Sequence, residues 1–451
     1  MTKEITIIGG GLAGCEAAWQ ATRLGVKVRL HEMRPVKMTE AHKTDGFAEL
    51  VCSNSLRSWE LSTGPGLLKR ELEIADSLVM EAAYSSRVAA GSALAVDRGL
   101  FSAYMTDAIE KHPLIEIVRG EVTSFPLELS SPAGPITIVA TGPLTSGPMA
   151  NAIKAVVGEE HLHFYDAIAP IIDAESIDEA KVYRMSRYGK GGDDYVNCPM
   201  NREEYEAFFE ALLEADSVTA RDFEDAKVFE GCMPVEVMAL RGKDTLRFGP
   251  LKPVGLPTPA TGKIPYAVVQ LRLENREQTA YNMVGFQTRL KWPEQKRVFH
   301  LIPGLEHAEF FRFGSIHRNT YINSPRHLNR DMSLKEAPSL YFAGQITGVE
   351  GYIESTAIGL LAGTSAALRS VGKDFPTPPR SSAHGSLLAH LTESDPNHFV
   401  PSNINFGLLP PDDETPRVRD KKMRRQKIAE TALKNWTEYI QMLKREYNFG
   451  G

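Results

Sequence analysis

The sequence predicts an α/β fold, built on glycine-punctuated strand–turn–helix units and interrupted by a smaller α/β domain. Three stretches predict it: a glycine-rich turn after the first apolar run, a second glycine cluster late in the chain, and alternating apolar segments between the two. At 451 residues the chain exceeds one ordinary core, so roughly two or three domains are expected. A hydrophobic fraction of 42% with 24% charged residues is that of a globular protein and excludes a disordered or fibrous one. No apolar run reaches membrane-spanning length, and the N-terminus lacks a signal-peptide layout. Four scattered cysteines make no disulfide framework, which points to the reducing cytoplasm. No C-x-x-C pair exists and the HLH at His161 to His163 stands alone, so no metal site is expected.

The N-terminal unit reads "EITIIGGGLAGCEAAWQATRLGVKVRLHE". Ile5, Ile7 and Ile8 make a short β-branched strand that runs into Gly9-x-Gly11-x-x-Gly14. The first glycine permits the turn, the second lets backbone approach a pyrophosphate, and the third lets the helix pack on the sheet. Phosphates then sit at the positive end of that helix. The strand "VKVRLHE" follows and ends on Glu32, placed to accept from a ribose hydroxyl. Cys15, just inside the helix, reads as a small packing residue.

The late unit gives a strand over Leu340 to Ala343, then Gly344, Gly348, Gly351 and a helix rich in Ala and Gly. Between the two units "GPITIVATGP" supplies a strand over Ile136 to Ala140. Together with Asp97 and Arg98 in "AVDRGLF", the trio resembles the FAD-binding, Rossmann-like fold of the glutathione-reductase type. A plain nicotinamide-binding domain would not need the distant glycine unit. The expected cofactor-binding residues are Gly9, Gly10, Gly11, Leu12, Ala13, Gly14, Glu32, Gly344 and Gly351.

An FAD-binding domain is therefore expected over residues 1–158 and resumes at 319–451, with an insertion over 159–318. The insertion holds a helix in "NREEYEAFFEALLEAD" and strands in "PYAVVQLRLEN" and "TAYNMVGFQTRL". "RYGKGGDDY" is a loop around Lys190, either a solvated turn or a substrate-gripping one. "KDFPTPPRSS" and "LLPPDDETP" read as linkers. Net charge is −6, yet Pro416 to Lys427 holds seven Lys or Arg against one Asp. That run is either a solvated face or an edge that contacts RNA phosphates.

Two cysteines stand apart from apolar surroundings. Cys52, in "LVCSNSLRS", precedes Ser and Asn residues that are natural helix caps. A thiol at a helix N-terminus near Arg57 would favour its thiolate. Cys232, in "FEGCMPVE", lies between Gly231 and Pro234, which suggests a turn that presents the thiol. Cys198 in "YVNCPMN" is a third candidate. On composition alone each reads as a quiet buried thiol before a catalyst.

In this order and spacing, "IIGGGLAGCEAAWQ", "HEMRP", "LVCSNSLRS" and "FEGCMPVE" closely resemble the folate- and FAD-dependent tRNA (uracil-5-)-methyltransferase family, over essentially the whole chain. The resemblance implies methylation of C5 of the T-loop uridine in the tRNA T-arm. Methylenetetrahydrofolate would supply the carbon and reduced FAD the hydride, with NADPH or NADH as reductant. By motif, Cys232 matches the nucleophile that adds to C6, and Cys52 matches the general base at C5, which also supports the flavin pocket. A cysteine thiol suits a base because its ordinary pKa lies near neutrality. Two rival functions remain: a small-molecule flavin oxidoreductase, and a non-catalytic flavin-bearing RNA-modification partner.

Overall fold

The computed structural model describes residues 4–125, 134–158, 162–218, 233–275, 278–410 and 420–447. Five strands form a parallel sheet in the spatial order Leu340–Phe342, Thr137–Val139, Glu4–Ile8, Lys27–Glu32, Ile115–Arg119. Ile7 pairs with Leu30 on one side and Ile138 on the other, and Ile138 pairs in turn with Tyr341. The order brings the expected N-terminal, middle and late strands side by side although hundreds of residues separate them. The crevice at the carboxyl ends of such strands is where doubly wound folds bind ligands.

Two helices close that sheet through small residues. Helix Leu12–Thr22 packs against helix Tyr352–Ser370. A Cβ at Gly359 or Gly363 would run into the backbone of Ala13 or Ala17, so the two helices touch main chain to main chain. This close approach is what holds Gly344 and Tyr352 beside the Gly9–Gly14 turn.

A second, separate core is built mainly by the segment between the halves, with Val88, Ala90 and Ala95 of the first half joining it. Its six-stranded sheet runs Tyr183–Arg184, Tyr195–Met200, Ala267–Leu273, Ala280–Met283, Ile171–Asp173, Phe310–Arg312, with every pairing antiparallel. Helix Arg202–Glu214 carries a capping box from Asn201 and Glu204 and buries Tyr205, Phe208 and Leu212 in this core. Strand Ala267–Leu273 alternates in sequence yet is buried throughout. Its polar members are satisfied internally: Gln270 donates to Asn197 Oδ1 at 3.0 Å, and Arg272 reaches Asn54 Oδ1 at 2.9 Å.

Past the linkers, helix Lys421–Tyr447 docks on the FAD-type half. Trp436 is fully buried, its ring stacked 4.1 Å from that of His384, and its Nε1 donates to the Glu71 carbonyl at 2.7 Å. From Lys421 on, the basic run lies in the first turns of this helix, where Lys422 and Arg424 are exposed, and its residues 416–419 lie outside the described residues. Among the described residues no helix is long and apolar enough to cross a membrane.

Candidate functional site

The crevice holds about 1070 Å³ of empty space. It is walled by the carboxyl ends of the expected strands: Gly9–Ala13, Glu32, Ala140 and Gly344. A Cβ at Gly14 would strike the Gly9 carbonyl, so this glycine is required for helix and turn to fit. At Gly11 a Cβ would meet nothing within 4 Å. The open space over Gly11 is therefore where a pyrophosphate can approach the backbone at the helix N-terminus. Gly344 and Gly351 adopt φ of 79° and 120°, conformations a side chain disfavours.

Glu32 is buried at the end of its strand, as expected. Its Oε2 accepts from Gly10 N at 2.8 Å, and its Oε1 accepts from Arg34 N at 3.0 Å and Arg34 Nε at 2.9 Å. Burial opposes its ionisation, but Arg34 and the two amides outweigh burial and hold the carboxyl below its ordinary range. Oε1 already accepts twice, and Oε2 keeps a further lone pair for a ribose hydroxyl. Arg34, itself buried, also donates to Glu49 Oε2 at 3.1 Å. Phe47 packs against the turn, close enough that a Cβ at Gly10 would meet its ring. The donor set and the open Gly11 cradle fit a dinucleotide.

A second hollow of about 980 Å³ adjoins the first, and the two share Val51, Pro143, Leu144, Gln345 and Tyr352. Cys52 lines it, half-buried. The structure corrects the expected setting of this thiol. Ser55–Ser58 is a strand paired with Ala93–Val96, and no helix starts there; the next helix is Gly64–Ile74, capped by Thr63. The Ser and Asn side chains serve loop geometry instead: Asn54 Nδ2 donates to Val96 O and Leu273 O at 3.0 and 2.9 Å. Arg57 does face the Cys52 hollow, but its Nη1 is engaged by Glu354 Oε1 at 3.3 Å.

What holds the Cys52 loop was not visible in the sequence motif. The Tyr352 hydroxyl accepts from Cys52 N at 2.8 Å and Ser53 N at 3.1 Å. Burial, and beyond it the neighbouring Cys52, push the Tyr352 phenol well above the usual tyrosine range, so it stays protonated. Arg312 donates to Val51 O at 3.1 Å and Cys52 O at 3.3 Å, and Arg98 donates to Leu50 O at 2.8 Å. Burial, then repulsion from Arg98, lower the Arg312 pKa to about 10. Glu274 pairs with Arg98 and offsets part of that repulsion. Arg98, Tyr352 and Glu274 lay in stretches the sequence had marked, though not for this role, and Arg312 lay in none.

The other cysteines separate cleanly. Cys15 is buried, with its Sγ donating to Gly10 O at 3.4 Å; burial and the charge of Glu32 push its pKa far up, as suits a packing residue. Cys198 sits buried in the second core and is likewise raised by burial. Cys232 lies outside the described residues. The described chain after it is anchored at the second hollow: Val235 N donates to Gln287 O at 2.8 Å, and Gln287 lines the Cys52 hollow. Lys190 of the "RYGKGG" loop is paired with Glu60 at 2.6 Å.

The model of the family described as "Glucose inhibited division protein A" matches residues 4–374. A relative from Geobacter sulfurreducens is 57% identical over 434 residues, covering 96% of this chain and 98% of its own. One from Pelotomaculum thermopropionicum is 56% identical over 441 residues, covering 98% and 99%. Both are named methylenetetrahydrofolate--tRNA-(uracil-5-)-methyltransferase TrmFO. The chain belongs to this methyltransferase family. Among solved structures, Aquifex aeolicus GidA superposes with a TM-score of 0.71 at 17% identity, over 99% of this chain and 75% of that one. That likeness supports the Rossmann-like flavoprotein fold.

Proposed function

We propose that this chain methylates C5 of the T-loop uridine in tRNA, with methylenetetrahydrofolate as one-carbon donor and FAD in the glycine-lined crevice. The observation that carries the reading is the continuity of that crevice with the Cys52 hollow through Tyr352 and Gln345. When bound, FAD supplies the hydride that completes the methyl group, and NADPH or NADH restores it.

C5 of uracil is a poor nucleophile. In this reading the Cys232 thiolate adds to C6, which makes C5 attack the one-carbon unit. Cys52 then takes the C5 proton. The bond from the one-carbon unit to the folate nitrogen breaks as that proton leaves, which gives an exocyclic methylene at C5; hydride addition there makes the methyl group as Cys232 leaves C6 and the C5–C6 double bond returns. The Tyr352 hydroxyl and Arg312 fix the loop that carries Cys52, so the base is held in place before substrate arrives. Glu32, Gly10 and the helix at Leu12 orient the dinucleotide. The separate second core supports reading 159–318 as an insertion between the two FAD-binding parts, 1–158 and 319–451. A tRNA substrate favours a cytoplasmic location.

A T-arm hairpin carrying 5-fluorouridine at the target position tests the nucleophile. The wild-type protein should form a denaturation-resistant adduct and Cys232→Ala none; an adduct that persists in Cys232→Ala removes Cys232 from that role.

A further inference from the structure

The insertion domain exposes an aromatic column that the reaction chemistry does not use. Trp292 opens helix Trp292–Phe299 with 63% of its surface exposed. Beneath it the Phe313 ring lies 5.6 Å away at 19°, and Phe310 stacks under Phe313 at 5.0 Å and 21°. Three near-parallel rings thus end in a bare indole face. An exposed tryptophan held flat by a stacked ring behind it offers a rigid π surface with little rotamer freedom left to lose on binding.

Position says what that face is for. The segment that precedes Trp292 receives both flanks of the chain around Cys232: Val218 N donates to Arg289 O at 2.8 Å, and Val235 N donates to Gln287 O at 2.8 Å. Gln287 also walls the Cys52 hollow. The indole is thus a few residues along the chain from the reactive pocket. A cation stands one turn along: Lys296 is exposed on the same helix, while Lys291 pairs with Asp216 at 3.0 Å and Arg297 with Glu294 at 2.6 Å. Aromatic faces beside cations are how proteins hold unstacked bases of single-stranded RNA.

We infer that Trp292, backed by Phe313 and Phe310, is the platform on which an unpaired base of the tRNA T-loop stacks while the target uridine is engaged. The inference rests on the tRNA methyltransferase reading above. Trp292 is here a substrate-positioning residue and takes no part in bond making.

The test is the affinity of wild type, Trp292→Phe and Trp292→Ala, each loaded with FAD, for a T-arm hairpin, measured at two salt concentrations. Loss of one base stack should weaken binding by about 5- to 150-fold in Trp292→Ala. Trp292→Phe should retain most of the affinity. The loss should be the same at both salts, because stacking releases no counterions. Hairpins with an abasic nucleotide placed in turn at each unpaired loop position should include one that wild type and Trp292→Ala bind equally. Equal affinity of wild type and Trp292→Ala for the intact hairpin would overturn the platform. So would a loss confined to low salt, or a change in oligomer mass without a change in RNA affinity, which would make the face a contact between copies. Failure of wild type to methylate the hairpin would instead sink the underlying functional reading.

Discussion

Replacing Tyr352 by Phe removes one oxygen and leaves the ring. That oxygen accepts from two amides of the loop carrying Cys52, at 2.8 and 3.1 Å. A net hydrogen bond contributes about 0.5–1.5 kcal/mol, so two give about 1–3 kcal/mol. The adjoining hollow of about 980 Å³ admits water that can take over part of the role, which favours the lower half, about 1–2 kcal/mol. Arg98 and Arg312 still hold the carbonyls of Leu50, Val51 and Cys52, so the loop should loosen and not collapse. At about 1.4 kcal/mol per factor of ten, amide exchange at Cys52 and Ser53 should quicken about 5- to 30-fold. Hydrogen exchange read by mass spectrometry on the peptide spanning the loop measures it, with helix Gly64–Ile74 as the internal control. Unchanged exchange at both amides would refute the claim that Tyr352 anchors the loop.

Three further substitutions bear on the crevice and its surroundings. Gly11→Ala has room in the protein alone but fills the space over the turn, so it should lose bound FAD, read as flavin absorbance per protein, at an unchanged apo melting temperature. Gly14→Ala should lower both, because its methyl meets the Gly9 carbonyl. Lys69 is buried, and desolvation lowers its pKa to about 7, so the folded protein sheds that proton while the unfolded chain keeps it up to the ordinary lysine range. Its contribution to stability should therefore rise with pH from about 7 toward 10. The difference in unfolding free energy between Lys69→Met and wild type, followed across that window, reads it; a difference flat with pH would refute the buried, neutral amine.

Local grammar made the dinucleotide crevice legible. Gly9, Gly14, Gly344 and Gly351 have backbone reasons that leave a mark on spacing; Gly9, Glu32 and Gly344 line the crevice at the carboxyl ends of the strands, while Gly351 lines the adjoining hollow. Cys52 was legible as an oddity but its setting was misread. Ser53, Asn54 and Ser55 have cap chemistry, yet Asn54 spends its amide on carbonyls of Val96 and of Leu273 in strand Ala267–Leu273, and Ser55 joins a strand. Tertiary hydrogen bonds overrode a local preference there. Tyr352 and Arg312 were illegible because each meets the Cys52 loop across more than 250 residues of chain, a pairing that leaves no periodicity. Nothing in "GYIES" separates an anchoring tyrosine from a packing one. The buried arginines were similarly hidden: Arg272 sits in what reads as an alternating strand, where a polar residue implies a solvent face, and instead spans the two cores to Asn54.

The most direct measurement is mass spectrometry of a T-arm hairpin incubated with the protein, FAD, NADPH and methylenetetrahydrofolate carrying an isotopic label in its one-carbon unit. The account predicts one methyl on the loop uridine, bearing the label and absent when folate is omitted. An unmodified hairpin, from protein that is folded and yellow with bound flavin, would contradict it.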